Sequence, residues 1–243
     1  MNFIIDIGNS STKVAVYEGF EKVISLRTKQ FSWDKLREML APYTEKLDRC
    51  IVSTVRDTPE FVIDLATHGI PNVQVLSHVT RLPFRNEYET PETLGTDRIA
   101  AIAGAFHLFQ EKNILVIDAG SAVTYDYLSD NAFKGGNISP GLSMRFRALH
   151  HFTRRLPLVS TTEKVSAPGK NTLEAITAGV INGLIFEINE YIERFNADSS
   201  CEVIMTGGDS GYLRERIAHI VTYMPDLVLD GLNYILEYNA GKN

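Results

Sequence analysis

Two short stretches of this 243-residue chain carry the residue types that chemistry on a phosphate requires. The first is Phe3-Ile4-Ile5-Asp6-Ile7-Gly8-Asn9-Ser10-Ser11-Thr12-Lys13-Val14-Ala15-Val16-Tyr17. An apolar run ends on an acid, a glycine follows two positions on, and a hydroxyl-rich turn leads into a second, alternating run. That pattern predicts a β-hairpin. Gly8 lets a ligand approach the backbone closely, while Asn9, Ser10, Ser11 and Thr12 set polar side chains beside main-chain N–H groups. Lys13 adds a positive point charge, and Asp6 stands where a carboxylate can hold a hydrated metal ion. Taken alone, the same residues also fit an ordinary exposed polar turn.

The second stretch repeats the grammar. Ile114-Leu115-Val116-Ile117-Asp118-Ala119-Gly120-Ser121-Ala122-Val123-Thr124-Tyr125-Asp126-Tyr127 again runs from an apolar strand through Asp-x-Gly and hydroxyl residues into a second strand. The separation is constant at 112 positions (118 − 6 and 120 − 8), close to half the chain. Two matched hairpins at that spacing predict two related domains facing one cleft, 1–112 and 113–243, with the boundary near Glu111-Lys112-Asn113. Two Asp-x-Gly turns across such a cleft suit the two ends of a triphosphate and its metal.

The elements around these turns alternate strand and helix, which predicts an α/β fold. Strands are expected over Val23 to Thr28, Arg49 to Val55 and Val73 to Leu76. Helices are expected from Trp33 to Leu40, behind a Ser32 cap, and from Pro59 to His68, closed by Gly69. Trp33 reads as core packing. An irregular polar segment, Leu82 to Leu94, precedes Gly95-Thr96-Asp97-Arg98 and an alanine-rich helix to Phe109 (Ala100, Ala101, Ala103, Ala105). Small residues there allow close packing against the sheet or a second subunit. Asp97 falls in the first helical turn, with Arg98 adjacent, where the helix dipole favours an acid.

Further on, Gly135-Gly136-Asn137-Ile138-Ser139-Pro140-Gly141 reads as a glycine-rich segment opening a helix at Leu142. Arg145, Arg147, Arg154 and Arg155 read as its solvated basic face. His150 and His151 are adjacent rather than spaced i, i+4, which argues against a zinc pair. Pro168-Gly169-Lys170-Asn171-Thr172 caps a long helix to Phe195, with Thr172 as the N-cap or a ligand contact. Glu202 to Gly208 is a strand ending in glycines, suited to a tight turn or a nucleoside surface. A helix follows from Tyr212, and a last one spans Leu227 to Asn239 with a core stripe at Leu229, Leu232, Ile235 and Leu236.

Composition sets the frame. A hydrophobic fraction of 44% and a charged fraction of 22% are those of a globular protein large enough to bury a core. The net charge of −6 offers no basic field for nucleic acid or anionic membrane. Cys50 and Cys201 are far apart and lack metal-ligand spacing, so they read as free buried thiols in a reducing cytoplasm. Neither a leader-like N-terminus nor a run of membrane-span length is present. The expectation is a soluble cytoplasmic protein.

With the motifs in order, the chain resembles the type III pantothenate kinases of the acetate and sugar kinase/heat-shock chaperone/actin superfamily. The resemblance spans essentially the whole chain. It rests on Asp6-Ile-Gly-Asn-Ser-Ser-Thr-Lys13, Tyr88, Gly95-Thr-Asp-Arg98, Asp118-Ala-Gly-Ser121, Gly135-Gly-Asn-Ile-Ser-Pro-Gly141, Gly169-Lys-Asn-Thr172 and Thr206-Gly-Gly208. It implies two ribonuclease-H-like (actin-like ATPase) domains with a central cleft. It also implies ATP-dependent phosphorylation of the primary hydroxyl of pantothenate, the first step of coenzyme A synthesis.

Residue by residue, Asp6, Ile7, Gly8, Asn9, Ser10, Ser11, Thr12 and Lys13 match the phosphate-binding segment, with Asp6 orienting Mg²⁺. Asp97 matches the catalytic base, and Tyr88, Gly95, Thr96, Arg98 and Thr172 match pantothenate-site positions. Asp118 matches the ligand of a potassium or ammonium ion, and Ser121 an ATP contact where the family usually has Thr. At Thr96, where the family often has Ala, the expectation is a backbone role. A homodimer is also implied, with the alanine-rich helix a candidate contact. Two other functions fit the same fold: a different small-molecule kinase, and a catalytically silent regulator that keeps the nucleotide turns. The joint presence of Asp6, Lys13, Asp97 and Asp118 weighs against the second.

Overall fold

The computed structural model describes residues 1–29, 33–55, 65, 70, 72–197 and 200–241. Apart from Leu65, the helix expected over Pro59 to His68 lies outside the described residues, as do its Gly69 cap, the Ser32 cap and the Trp33 side chain. By their contacts the residues form two units, one of 1–110, 131–134 and 226–243, the other of 111–130 and 135–225. Among the described residues, no helix is long and apolar enough to cross a membrane.

The first unit is built on a five-stranded sheet, β1 (Asn2–Ile7), β2 (Thr12–Glu18), β3 (Glu21–Thr28), β4 (Arg49–Thr54) and β5 (Val73–Val75), in the order β3-β2-β1-β4-β5. β1 runs antiparallel to β2 and parallel to β4. It is buried on both faces, so it reads as a continuous apolar run. Phe3, Ile5, Ile7, Val14, Val16 and Val52 face a core closed by Leu36 and Leu40 of α1 (Trp33–Leu40). Asn2, Tyr17 and Ser53 turn to the other face. There they meet α2 (Thr96–Leu108) and, much later in the chain, α6 (Leu227–Ala240). Asn2 donates to Asn233 and Glu237, and Tyr17 donates to Asp230 at 2.6 Å.

The second unit repeats that plan. β7 (Asn113–Ala119) pairs antiparallel with β8 (Ala122–Ser129) and parallel with β10 (Cys201–Thr206), and β10 pairs with β11 (Thr222–Tyr223). β9 (Ala132–Pro140) flanks β8, so the order β9-β8-β7-β10-β11 matches β3-β2-β1-β4-β5 strand for strand. α3 (Leu142–Phe152) and α4 (Thr172–Ala197) cover this sheet through Leu142, Phe146, Val180, Ile181, Leu184 and Ile188. A short α5 (Ser210–Arg214) follows β10. The sequence echo at 112 positions is therefore a repeat of topology.

Several expectations are corrected. Residues 226–243, counted from sequence with the second half, pack with the first unit, because α6 lies tightly on α2. The glycine-rich stretch before Gly141 is strand β9, since ladder pairing outweighs the weak strand preference of glycine. α3 ends at Phe152, so Arg154 and Arg155 lie beyond it. Arg145 is no solvated charge either: it bonds Glu187 at 2.5 Å and Ser139 at 2.7 Å. Thr172 is the first residue of α4, and the cap is Asn171, whose Oδ1 accepts from the Glu174 N–H at 3.0 Å. Glu174 reaches back to the Lys170 N–H at 2.8 Å, which completes a reciprocal box. Cys50 is buried as expected, whereas Cys201 is only partly so.

Candidate active site

The first unit's chemistry lies at the carboxyl ends of β1 and β4. Strand register sets Asp6 opposite Lys13 on β2 and opposite Ser53 on β4. Residues opposite one another project to the same face, so carboxylate, ammonium and hydroxyl share one rung. Between β1 and β2 the chain turns through Gly8 to Ser11, closed by the Gly8 N–H donating to the Ser11 carbonyl at 3.1 Å. A Cβ on Gly8 would stand 3.2 Å from that carbonyl, so the turn is tight where the sequence requires glycine. Asn9 and Ser10 are exposed at its tip, Thr12 is buried, and the Ile7 side chain is committed to the core. Only the backbone of Ile7 is left to face a ligand.

α2 brings the second acid. Its N-cap is Gly95, and Asp97 accepts the Arg98 N–H at 2.9 Å through its own carboxylate. A Cβ on Gly95 would fall 2.5 Å from the Asp97 Oδ1, so only glycine lets the carboxylate lie there. The Thr96 hydroxyl donates to the Thr54 carbonyl at 3.1 Å and lies 3.0 Å from the Ser53 Oγ. This ties the helix start to β4. The Thr96 hydroxyl is thus engaged by β4, which leaves its backbone for a ligand. Ser53 escapes sequence reasoning, because a serine at a strand end carries no local signal.

Burial makes both carboxylates reluctant to ionise. Asp6 is 9% exposed, and its pKa rises from 3.8 to about 6, first by burial and then by the charge of Asp97, against the pull of Lys13 and Ser53. Burial raises Asp97 as well, opposed by the Arg98 N–H and guanidinium. The Asp6 Oδ1 is buried and has no hydrogen-bond partner among the described residues. A carboxylate oxygen desolvated in this way fits a divalent cation, which would supply the missing interaction.

Arg98 is 6% exposed, a charge that burial tolerates only beside compensating groups. Its guanidinium lies 5.6 Å from the Tyr88 ring centroid and 5.9 Å from that of Phe133. The two rings stack with centroids 5.9 Å apart. Tyr88 is held there by β6 (Arg85–Asn86), which pairs parallel with the start of β9 and sets Asn86 opposite Phe133. Phe133 is a second residue without a sequence signal, since strand pairing alone brings it to Arg98.

The second unit offers a related rung, with Asp118 on β7 between Thr124 on β8 and Thr206 on β10. Gly207, at φ +97°, packs against the Asp118 carboxylate and Ala119, where a Cβ would collide with both. Ser121 sits in the β7–β8 turn, and its carbonyl accepts the Gly141 N–H at 3.1 Å. The oxygen-rich surroundings of Asp118 fit a hard cation. Thr172 belongs to this unit too, exposed at the start of α4.

Solved structures share the architecture over nearly the whole chain. A protein assigned as a 2-dehydro-3-deoxygalactonokinase from Sinorhizobium meliloti is 15% identical with a TM-score of 0.63, covering 98% of this chain and 99% of that one. A Campylobacter jejuni protein assigned to the Baf family of transcriptional activators is 24% identical with a TM-score of 0.62, over the same shares. At these identities the likeness shows the fold: that of the actin-like ATPases and sugar kinases. The family described as type III pantothenate kinase matches residues 2–194. A protein of that name from Porphyromonas gingivalis is 42% identical over 246 residues, covering 98% of this chain and 99% of the relative. The chain belongs to the type III pantothenate kinase family.

Proposed function

We propose that this chain carries out its family's reaction, transfer of the terminal phosphoryl group of ATP to the primary hydroxyl of pantothenate, with Asp97 as the base. The carrying observation is the paired burial of Asp6 and Asp97 at one end of the sheet, beside Lys13 and Arg98. Phosphoryl transfer asks little covalent chemistry of the protein; it needs an oriented hydroxyl and neutralised phosphate oxygens. Asp97 accepts the hydroxyl proton, and burial strengthens it for that task. Arg98 pairs with the pantothenate carboxylate, its planar fork held beneath Tyr88 and Phe133. Lys13 and the turn amides hold phosphate oxygens, and Asp6 holds Mg²⁺, directly or through water. Mg²⁺, when bound, neutralises phosphate charge.

Finer features belong to the same proposal. Asp118 holds a monovalent cation, supported by its threonine neighbours and the close backbone of Gly207. Ser121 contacts ATP, and Thr172 contacts pantothenate. The protein acts as a cytoplasmic homodimer. The dimer contact is not the alanine-rich helix, because Ala100, Ala101, Ala103 and Ala105 are buried within the chain. One exposed face of α4 suits it better, where Gly179 and Gly183 leave open space and Phe186 is 68% exposed.

Asp97→Asn tests the base. At saturating substrates kcat should fall by roughly 10²–10⁴ while both KM values stay within a fewfold. Near-normal turnover would remove Asp97 from the role.

A further inference from the structure

The rung that carries Asp6 does not stop at Lys13. On the next strand, Arg27 of β3 stands directly opposite Lys13, so Ser53, Asp6, Lys13 and Arg27 follow one another across β4, β1, β2 and β3. Lys13 and Arg27 together concentrate positive charge beside the turn, with Asp6 as the acid on the other side of Lys13. The Arg27 side chain is also directed: its Nε donates to the Ser11 Oγ at 3.1 Å, which draws the guanidinium onto the Gly8–Ser11 turn. The side chain is exposed, and Ser11 is its hydrogen-bond partner among the described residues. The bond to Ser11 uses Nε and not the two terminal nitrogens of the fork, the pair that can take two oxygens of a phosphate.

We propose that Arg27 is a second phosphate-binding cation of this turn, acting with Lys13 on the polyphosphate chain of ATP. This rests on the kinase reading above and adds to it a residue outside the Asp-x-Gly motif. Ser11 positions Arg27. The rung then has a division of labour: Asp6 at one end for the metal, Lys13 in the middle, and Arg27 two strand spacings from Asp6, about 10 Å away, for the phosphates.

The test compares full-length wild type, Arg27→Gln and Arg27→Lys. It reads the KM for ATP and for pantothenate, inhibition by inorganic tripolyphosphate, the Kd of Mg·ATP by calorimetry, and thermal midpoints with and without Mg·ATP. Arg27→Gln should raise the ATP KM, the Mg·ATP Kd and the tripolyphosphate inhibition constant by about tenfold, the order expected for one lost charged contact. The pantothenate KM should not move, and Arg27→Lys should recover only part of the loss, because lysine keeps the charge but lacks the fork and the Nε bond to Ser11. The ligand-free midpoint of Arg27→Gln should stay close to that of wild type, because the side chain is exposed, whereas a merely structural arginine would lower it. Unchanged ATP constants in Arg27→Gln, or a parallel rise in the pantothenate KM, overturns the inference. Wild type that binds Mg·ATP but releases no ADP with pantothenate overturns the pantothenate reading alone, and the Kd comparison still decides Arg27. Wild type that binds neither Mg·ATP nor tripolyphosphate overturns both.

Discussion

Asp6 and Asp97 are stored in this fold at a cost, and the cost has a measurable sign. The folded-state pKa of Asp6 stands at about 6 against an ordinary 3.8, so the folded protein holds that proton more tightly than the unfolded chain. The stabilising effect of protonation is full below pH 3.8 and is lost as pH rises through about 6. At about 1.4 kcal/mol per pH unit, the ionised carboxylate costs roughly 3 kcal/mol at neutral pH in the absence of ligand. Asp6→Asn should therefore raise the ligand-free thermal midpoint at pH 7 and flatten the pH dependence of stability between about pH 4 and 6. Wild type should gain stability on addition of Mg²⁺, and Asp6→Asn should abolish that gain. A variant less stable than wild type at pH 7, with the pH slope intact, would contradict this account of the carboxylate. Asp6, Lys13, Asp97 and Arg98 are readable in sequence because each sits in a short run with fixed spacing. Ser53, Phe133 and Arg27 are not, because strand register alone brings them to the others.

At the scale of elements, the placement of Asp97 depends on how closely α2 lies on α6. Gly104 and Gly231 make that approach possible. A Cβ on Gly104 would fall 2.5 Å from the Leu227 carbonyl oxygen, and one on Gly231 would overlap the Ala100 carbonyl and stand 2.7 Å from the Gly104 nitrogen. Gly231→Ala sets two effects against each other. Helix propensity favours alanine by about 1 kcal/mol, whereas overpacking costs about 1–3 kcal/mol, and more where the obstacle is backbone. Backbone is the obstacle here, so the second effect wins. The variant should lose thermal stability and kcat together, because the start of α2 carries Asp97. A midpoint equal to or above wild type would show that the helices separate freely. The alanines of α2 are legible as a close-packing face, but their partner is not, since α6 begins 119 positions after Leu108 (227 − 108). The β9 strand is likewise obscured by Gly135 and Gly136, whose strand preference is weak until a ladder supports them.

At the scale of the whole molecule, one five-strand plan is used twice, with an acid at the end of each central strand. That repeat is the most legible property of the sequence, because alternation and the Asp-x-Gly turn recur at a fixed offset. What the offset does not carry is the return of α6 to the first unit, a matter of packing partners rather than of pattern. If Asp118 holds a monovalent cation as proposed, activity should depend on potassium or ammonium and fall when sodium replaces them. Equal rates in all three salts would remove that role from Asp118.

The central claim is that the chain phosphorylates pantothenate, and ADP release from Mg·ATP by the purified protein, with and without pantothenate, tests it most directly. The account predicts turnover that rises from a negligible background to a saturable rate as pantothenate is added. Folded protein that binds Mg·ATP, yet releases no more ADP with pantothenate than without it, would contradict the claim.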